Sequence, residues 1–135
     1  MSDLTDLVDR YIAVWNEPDP ERRRRGIAGL WTEDGVHFTP SLEARGYEAL
    51  EARVAGAHDK WVKAGGFVFK PLSDVDGHHD AVRFSWQMVP AAGGGEAAAV
   101  GFDFLILGDG GRIRFDYQFS EMRDRPSAPS PPIAR

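Results

Sequence analysis

The stretch from Gly101 to Phe119, GFDFLILGDGGRIRFDYQF, constrains the fold more than any other part of the chain. It predicts two strands joined by a Gly-Asp-Gly-Gly turn, because glycine takes the positive φ angles of tight hairpin turns without steric cost. Nearly all residues of the two strands are aliphatic or aromatic. The exceptions are Asp103 in the first strand and Arg114, Asp116 and Gln118 in the second.

Strand alternation assigns these polar residues to faces, because successive side chains of a strand point to opposite sides of the sheet. Asp103 lies opposite Phe102 and Phe104, and the polar residues of the second strand lie opposite its aromatic ones. An ionisable group in so apolar a strand must be paired, solvated or directed into a cavity. A surface or interface ion pair between Arg114 and Asp116, and a solvated or side-chain-bonded Asp103, are therefore open alternatives to a cavity.

The length of 135 residues suits one domain with a core, over residues 1–124, followed by a Pro/Ser/Ala-rich surface tail at 125–135. The net charge of −5 argues against nucleic acid or an anionic membrane as a partner, and the Arg22–Arg25 run is interpreted as a solvated helix face. The sequence has no cysteine, no signal-peptide pattern and no run long enough to span a bilayer. We therefore expect a cytoplasmic protein.

Apolar residues at helical spacing predict three helices, at about residues 4–15, 20–31 and 47–63. The second begins with Asp19-Pro20-Glu21, which supplies an N-cap, a proline at the first helical position and an acid in the first turn. A short strand at 36–39 separates the second and third helices, and four strands follow the third. This order is typical of an α+β protein whose helices pack on one face of a mostly antiparallel sheet.

Several segments resemble the nuclear transport factor 2-like superfamily, on its SnoaL-like branch. They are DLVDRYIAVWN, LWTEDGVHFTP, RGYEAL, AVRFSWQMVP and GFDFLILGDGGRIRF, which together extend over roughly residues 3–120. The resemblance implies a cone-shaped fold in which three N-terminal helices pack on a curved sheet and leave a cavity. The superfamily contains isomerases, cyclases, dehydratases, epoxide hydrolases and non-catalytic binders, so the fold does not select a reaction.

A more distant resemblance to the ketosteroid isomerases assigns roles to single residues. Those enzymes stabilise an enolate with a tyrosine and with a carboxylic acid that its apolar surroundings keep protonated. Tyr11 matches the position of that tyrosine, and Asp103 matches the position of that acid. The base of those enzymes is an aspartate before a proline, where this chain has Thr39 before Pro40. Threonine is no carboxylate base, so isomerisation of the ketosteroid type is not expected.

Strand alternation combined with this resemblance predicts a cavity on the concave face, walled by aromatic side chains with a few polar groups, as small-molecule sites usually are. The catalytic candidates are Asp103, Tyr11, His37 and Asp116. His37 and Asp116 are alternative bases, because an imidazole or a buried carboxyl can titrate near neutral pH. The candidate ligand-binding residues are Trp15, Thr39, Val54, His58, Trp61, Phe84, Trp86, Met88 and Gln118. A non-catalytic His37 at the cavity mouth and a packed His58 stay open.

No cofactor and no metal are expected, because the sequence has no phosphate loop, nucleophile elbow or cofactor fingerprint. His78-His79-Asp80 has the composition of a metal site, but adjacent residues in a turn lack workable ligand geometry.

Three functions stay open. The first is a cofactor-independent acid–base enzyme of the isomerase, cyclase, dehydratase or epoxide hydrolase type, acting on a small hydrophobic molecule. The second is a non-catalytic binder of such a molecule, and the third is a dimeric adaptor with a filled core. The aromatic face opposite Asp103 is too apolar to be left in water, which predicts a homodimer formed through the sheet.

Overall fold

The computed structural model describes residues 3–72 and 75–122, and there it shows three α-helices and one curved, unclosed sheet of seven strands. The predicted α+β class is confirmed, and the predicted tail at 125–135 lies outside the described residues. The helices are α1 (Asp3–Asn16), α2 (Pro20–Leu30) and α3 (Gly46–Ala57), and α3 continues into a π-helical segment, His58–Lys63. The strands are β1 (Trp31–Thr39), β2 (Leu42–Arg45), β3 (Phe67–Pro71), β4 (Asp76–His78), β5 (Ala81–Pro90), β6 (Ala99–Leu107) and β7 (Ile113–Met122).

The helices begin and pack as their sequences predict. The side chain of Asp19 accepts a hydrogen bond of 2.9 Å from the backbone N–H of Arg22, which caps α2. The apolar stripe of α1 is buried against the sheet, and its members are Leu7, Val8, Tyr11, Ile12 and Trp15. Among the described residues, no helix is long and apolar enough to cross a bilayer.

The sheet has the strand order β2-β1-β7-β6-β5-β3, and β4 also pairs with β5. All of these pairs are antiparallel except β1 with β7. The order brings the β6–β7 hairpin to the middle of the sheet, where helices cover one face of it. Polar side chains on that face are therefore removed from water by the fold itself.

The strand register places the polar residues of the middle strands side by side. His37 of β1 is paired with Asp116 of β7, and Asp103 of β6 is paired with Gln118, one step along the same face. Residues at such paired and diagonal positions are within reach of one another's side chains. His37, Asp103 and Asp116 are each completely buried on the concave face, and so form one compact group.

Parts of the fold differ from the sequence-based expectation. β1 begins at Trp31, with an irregular pairing to β7 between Trp31 and Val36, whereas the predicted strand covers only 36–39. The short strands β2 and β4 are not among the predicted strands. These segments are extended because they pair with β1 and β5. Such pairing depends on a partner strand elsewhere in the chain, which local sequence patterns do not reveal.

Candidate functional site

Four polar side chains form one buried hydrogen-bond network centred on the hydroxyl of Tyr11. Tyr11 Oη lies 2.9 Å from Asp103 Oδ2 and 2.7 Å from Asp116 Oδ2. Asp116 Oδ2 also lies 2.8 Å from His37 Nδ1. Outside this group, the indole N–H of Trp86 donates to Asp103 Oδ1 over 2.8 Å. Tyr11 comes from α1 and the other residues come from the sheet, so the network forms where helix and sheet meet.

The number of protons in the network follows from these contacts. A tyrosine hydroxyl has one proton to donate, and an ionised carboxylate has none. Tyr11 can therefore donate to only one of the two carboxyls, and the second contact requires a proton on the other. Burial and the neighbouring charge of Asp116 raise the pKa of Asp103 well above its usual value, so Asp103 holds that proton. Asp103 donates to Tyr11 Oη, and Tyr11 donates to Asp116.

Burial is the main cause of the pKa shifts of both Asp116 and His37, and it moves the two values in opposite directions. Burial raises the pKa of Asp116 to about 6 and lowers the pKa of His37 to about 4, because each group then avoids its charged form. At neutral pH the network therefore contains an ionised Asp116 and a neutral His37. The contact with Asp116 assigns the imidazole proton to Nδ1, and the buried His37 Nε2 has no hydrogen-bond partner among the described residues.

A cavity of about 150 Å³ adjoins this network. Its lining is mostly aromatic and aliphatic, with a few polar side chains, and consists of Tyr11, Ile12, Trp15, Arg53, Ala57, Trp61, Phe69, Trp86, Met88, Ala99, Gln118 and Ser120. Tyr11 and Trp86 belong both to this lining and to the hydrogen bonds described above. The two carboxyls and His37 are not part of the lining. Tyr11 therefore connects the cavity with the carboxyls.

The predicted ligand-binding residues divide into two groups. Those that line the cavity are Trp15, Trp61, Trp86, Met88 and Gln118. Those outside its lining are Thr39, Val54, His58 and Phe84. Phe84 packs edge-on against the ring of Tyr11 at 5.1 Å, and the Thr39 hydroxyl accepts from the backbone N–H of Ser41. His58 is buried, and burial lowers its pKa; within the part of the chain that the structure describes, neither ring nitrogen has a hydrogen-bond partner.

Arg53 is a cavity residue that the sequence interpretation missed. It lies on α3 four residues before Ala57 and eight before Trp61, and all three line the cavity. Helical residues four apart lie on the same face, so this spacing was the available signal. The Arg53 guanidinium carbon lies 5.2 Å from the centroid of the Trp15 ring, a cation–π geometry.

The structure also decides the alternatives left open for the two aspartates. Arg114 contacts Asp34 at 3.5 Å, and Asp116 is buried against Tyr11 and His37, so a surface pair between Arg114 and Asp116 is not formed. Asp103 is neither solvated nor paired with an arginine.

His37, Asp103 and Asp116 also offer three potential metal-ligand atoms within 4.8 Å of one another. Both oxygens of Asp103 and Oδ2 of Asp116 are already engaged in hydrogen bonds with Tyr11, Trp86 and His37, so a cation would have to displace these contacts.

Comparison with solved structures identifies the class of protein. A candidate isomerase of the SnoaL-like family from Agrobacterium tumefaciens str. C58 is 30% identical to this chain, covering 90% of it and 99% of its own length, with a TM-score of 0.80. A candidate polyketide cyclase from Sinorhizobium meliloti is 19% identical, covering 87% of this chain and 96% of its own, with a TM-score of 0.64. A nuclear transport factor 2-like protein of unknown function from Mesorhizobium loti is 15% identical, covering 87% and 90%, with a TM-score of 0.62.

The last two similarities show the fold alone, which is that of the nuclear transport factor 2-like class. The first is stronger, and the chain belongs to the SnoaL-like family. No family model and no curated protein matches the sequence.

Proposed function

We propose that the protein is a cofactor-independent acid–base enzyme of the isomerase or cyclase type that acts on a small hydrophobic carbonyl compound. The observation that carries this proposal is the position of Tyr11, which lines the cavity while its hydroxyl contacts two buried carboxyls. A catalytic base works best when its pKa lies near the operating pH. Asp116, with a pKa raised to about 6 by burial, meets that condition.

The proposed step is a proton transfer through Tyr11. A C–H bond next to the carbonyl group breaks, its proton passes to Tyr11 Oη, and the Tyr11 proton passes to Asp116 Oδ2. The electron pair of the broken bond forms the enolate. Asp103 donates a hydrogen bond to Tyr11 Oη throughout, which stabilises negative charge that develops on that oxygen. The side chain of Gln118 is the proposed donor to the enolate oxygen.

The return of the proton completes the reaction. In an isomerisation of a β,γ-unsaturated carbonyl compound, the enolate is a dienolate, and the relay runs in reverse to protonate its γ-carbon, which moves the double bond into conjugation. In a cyclisation, the enolate carbon attacks a second carbonyl group of the same molecule, and the new alkoxide takes the proton. Both outcomes leave the protein in its starting state and require no cofactor. The candidate isomerase from Agrobacterium and the candidate cyclase from Sinorhizobium have names in agreement with these two outcomes.

The volume of the cavity supports a small ligand. A cavity of about 150 Å³ accommodates a molecule the size of benzene. Larger ligands generally occupy sites of roughly 300–1,000 Å³. A substrate with one ring, or an aliphatic chain of similar size, therefore suits this site, and a polycyclic one does not.

Exchange of the α-protons of phenylacetone in D₂O, followed by ¹H NMR, tests this proposal. Phenylacetone combines a single ring with a ketone. We expect the protein to accelerate exchange over buffer, and Tyr11→Phe to lower that acceleration by roughly 10²-fold or more. Tyr47→Phe is the matched control, because the Tyr47 hydroxyl contacts the backbone oxygen of Trp31 outside the cavity lining. No acceleration by the wild type, or full activity in Tyr11→Phe, would contradict the proposal.

A second candidate function is non-catalytic binding of a small hydrophobic molecule. One observation favours it: Asp103, Asp116 and His37 all lie outside the cavity lining. A binder would take up phenylacetone, as seen in shifted ligand resonances, and leave the exchange rate at the level of buffer. The same NMR experiment therefore separates the two functions.

We also propose that the protein is a homodimer formed through the convex face of the sheet. Phe102, Phe104, Tyr117 and Phe119 are 38–50% exposed on that face. The ring centroids of Phe102 and Phe119 are 4.9 Å apart and those of Phe38 and Tyr117 are 4.8 Å apart, so the face carries two stacked aromatic pairs. Sedimentation velocity at micromolar concentration should give about twice the chain mass of 14.9 kDa. Phe119→Ser should lower the sedimenting mass to that of one chain. A wild-type protein that sediments only at 14.9 kDa would contradict the proposed dimer.

A further inference from the structure

Arg53 differs from the other arginines whose contacts the structure describes. Arg10, Arg24, Arg45, Arg83 and Arg114 each lie within 4.0 Å of a carboxylate, at or near the surface. Arg23 and Arg112 instead donate hydrogen bonds to backbone carbonyl oxygens. Among the side chains that the structure describes, those of residues 4–72 and 75–120, no carboxylate lies at that distance from Arg53, and its buried Nε has no acceptor. Arg53 is therefore a cation at a cavity wall without an anionic partner among these side chains.

The surroundings of Arg53 make this state unfavourable in the absence of a ligand. Burial lowers the pKa of Arg53, but an arginine starts so high that it stays charged at neutral pH. Asp103 and Asp116 influence it only at longer range, in the direction that favours the charge. A partly buried charge without a direct partner is costly, and an anion placed within hydrogen-bond distance would remove that cost.

The geometry around Arg53 suits a carboxylate on a hydrophobic body. The planar guanidinium group presents parallel N–H donors that match the two oxygens of a carboxylate. The Trp15 ring lies beneath the guanidinium, with its centroid 5.2 Å from Arg53 Cζ. The remaining wall is mostly apolar, with Trp61 and Met88 among its members. The cavity lining therefore combines one cationic group with a wall that fits a ring or a short chain.

We propose that Arg53 anchors a carboxylate group of the ligand, so that the cavity takes a small hydrophobic carboxylic acid. Combined with the acid–base function proposed above, on which this second step rests, the substrate class becomes a hydrophobic keto acid. Arg53 holds the carboxylate, and the carbon next to the ketone lies at Tyr11. The anchor itself requires only binding, so it stands or falls separately from the reaction.

Isothermal titration calorimetry with benzoate and benzamide tests the anchor. The two probes share one ring and nearly the same shape, and only benzoate carries a negative charge. We expect the wild type to bind benzoate at least about tenfold more tightly than benzamide, as a charge-assisted bidentate contact implies. Arg53→Gln should abolish this preference, and Arg53→Lys should retain part of it, because lysine keeps the charge without the planar fork.

Arg24→Gln is the matched control, since it makes the same chemical change at an exposed arginine outside the cavity lining. It should leave the preference for benzoate unchanged. Circular dichroism of each variant verifies that it is folded before titration. A wild type that does not bind benzoate, or that binds both probes equally, overturns the proposal. A preference that survives in Arg53→Gln overturns it as well.

The exchange assay with two substrates separates this proposal from the proposed reaction. Phenylpyruvate carries a carboxylate beside its ketone, and phenylacetone carries none. If both proposals hold, the wild type exchanges phenylpyruvate with a lower KM than phenylacetone, and Arg53→Gln raises the KM for phenylpyruvate alone. A benzoate preference without any exchange means that the anchor is right and the reaction wrong. Exchange without a benzoate preference means the reverse.

Discussion

The two faces of the β6–β7 hairpin have reversed roles relative to an ordinary sheet. On the concave face, Asp103 and Asp116 are completely buried, and on the convex face Phe104 and Phe119 are partly exposed. The two sets alternate residue by residue along the same two strands. The alternation of side chains along the strands separates the two faces, and the helices that pack on one face decide which of them is buried.

Each face therefore has an energetic cost that a purely structural hairpin would lack. On the concave face, buried carboxyls raise the energy of the folded state unless every proton and acceptor is matched. On the convex face, the exposed aromatic side chains leave apolar surface in water unless a partner covers it. We attribute the buried carboxyls to acid–base chemistry and the exposed aromatic side chains to a dimer interface.

The largest expected stability effect comes from removing one hydroxyl on the concave side. Tyr11→Phe leaves Asp103 and Asp116 without the group that joins them, so the free energy of unfolding should fall by about 1–3 kcal/mol. Tyr117→Phe makes the same change on the convex face at an exposed side chain, and should alter stability by less than about 0.5 kcal/mol. Urea denaturation measures both. Equal losses of unfolding free energy in the two variants would contradict the stated difference between the buried concave face and the exposed convex face.

A second, pH-dependent effect tests the proton on Asp103. Its pKa in the folded protein is raised above its usual value of 3.8, so above that pH the unfolded chain releases a proton that the folded chain keeps. The wild type should therefore lose stability relative to Asp103→Asn as pH rises from 4, by roughly 1 kcal/mol per pH unit. The asparagine amide reproduces the protonated acid, donating to Tyr11 and accepting from Trp86. Urea titrations at several pH values measure the difference, and a wild type that gains on the variant with rising pH would show an ionised Asp103.

The smallest effect is expected at an ion pair that the network does not use. Arg114→Gln removes the contact with Asp34, whose side chain is largely exposed, so stability should change by less than about 1 kcal/mol. The rate of α-proton exchange should not change. A large loss of exchange in this variant would indicate that Arg114 acts on Asp116, contrary to the contacts described.

Much of the fold could be predicted because it depends on local sequence patterns. The apolar stripe of α1, the cap at Asp19 and the Gly-rich turn before β7 all act within a few residues of themselves. The faces of Asp103 and Asp116 followed from a period of two. Strand β2 and the early start of β1 did not follow, because both depend on hydrogen bonds to strands that are distant along the chain.

The candidate site was less predictable than the fold. Tyr11, His37, Asp103 and Asp116 were named together from strand faces and from the family resemblance, and the structure joins them by hydrogen bonds. Their depth behind the cavity wall was not predictable, since it depends on how closely α1 approaches the sheet. Arg53 was missed because a single arginine in a helix usually points to solvent. Its lack of a carboxylate partner becomes visible only in three dimensions.

The central claim is that Asp116 acts as the base through Tyr11, and the pH dependence of phenylacetone exchange tests it most directly. The reaction requires ionised Asp116, so kcat/KM should be level above pH 6 and should fall about tenfold per unit below it, in line with a pKa of about 6. Asp116→Asn should abolish the exchange at every pH. A rate that persists below pH 6 without decline, or that survives in Asp116→Asn, would contradict the account.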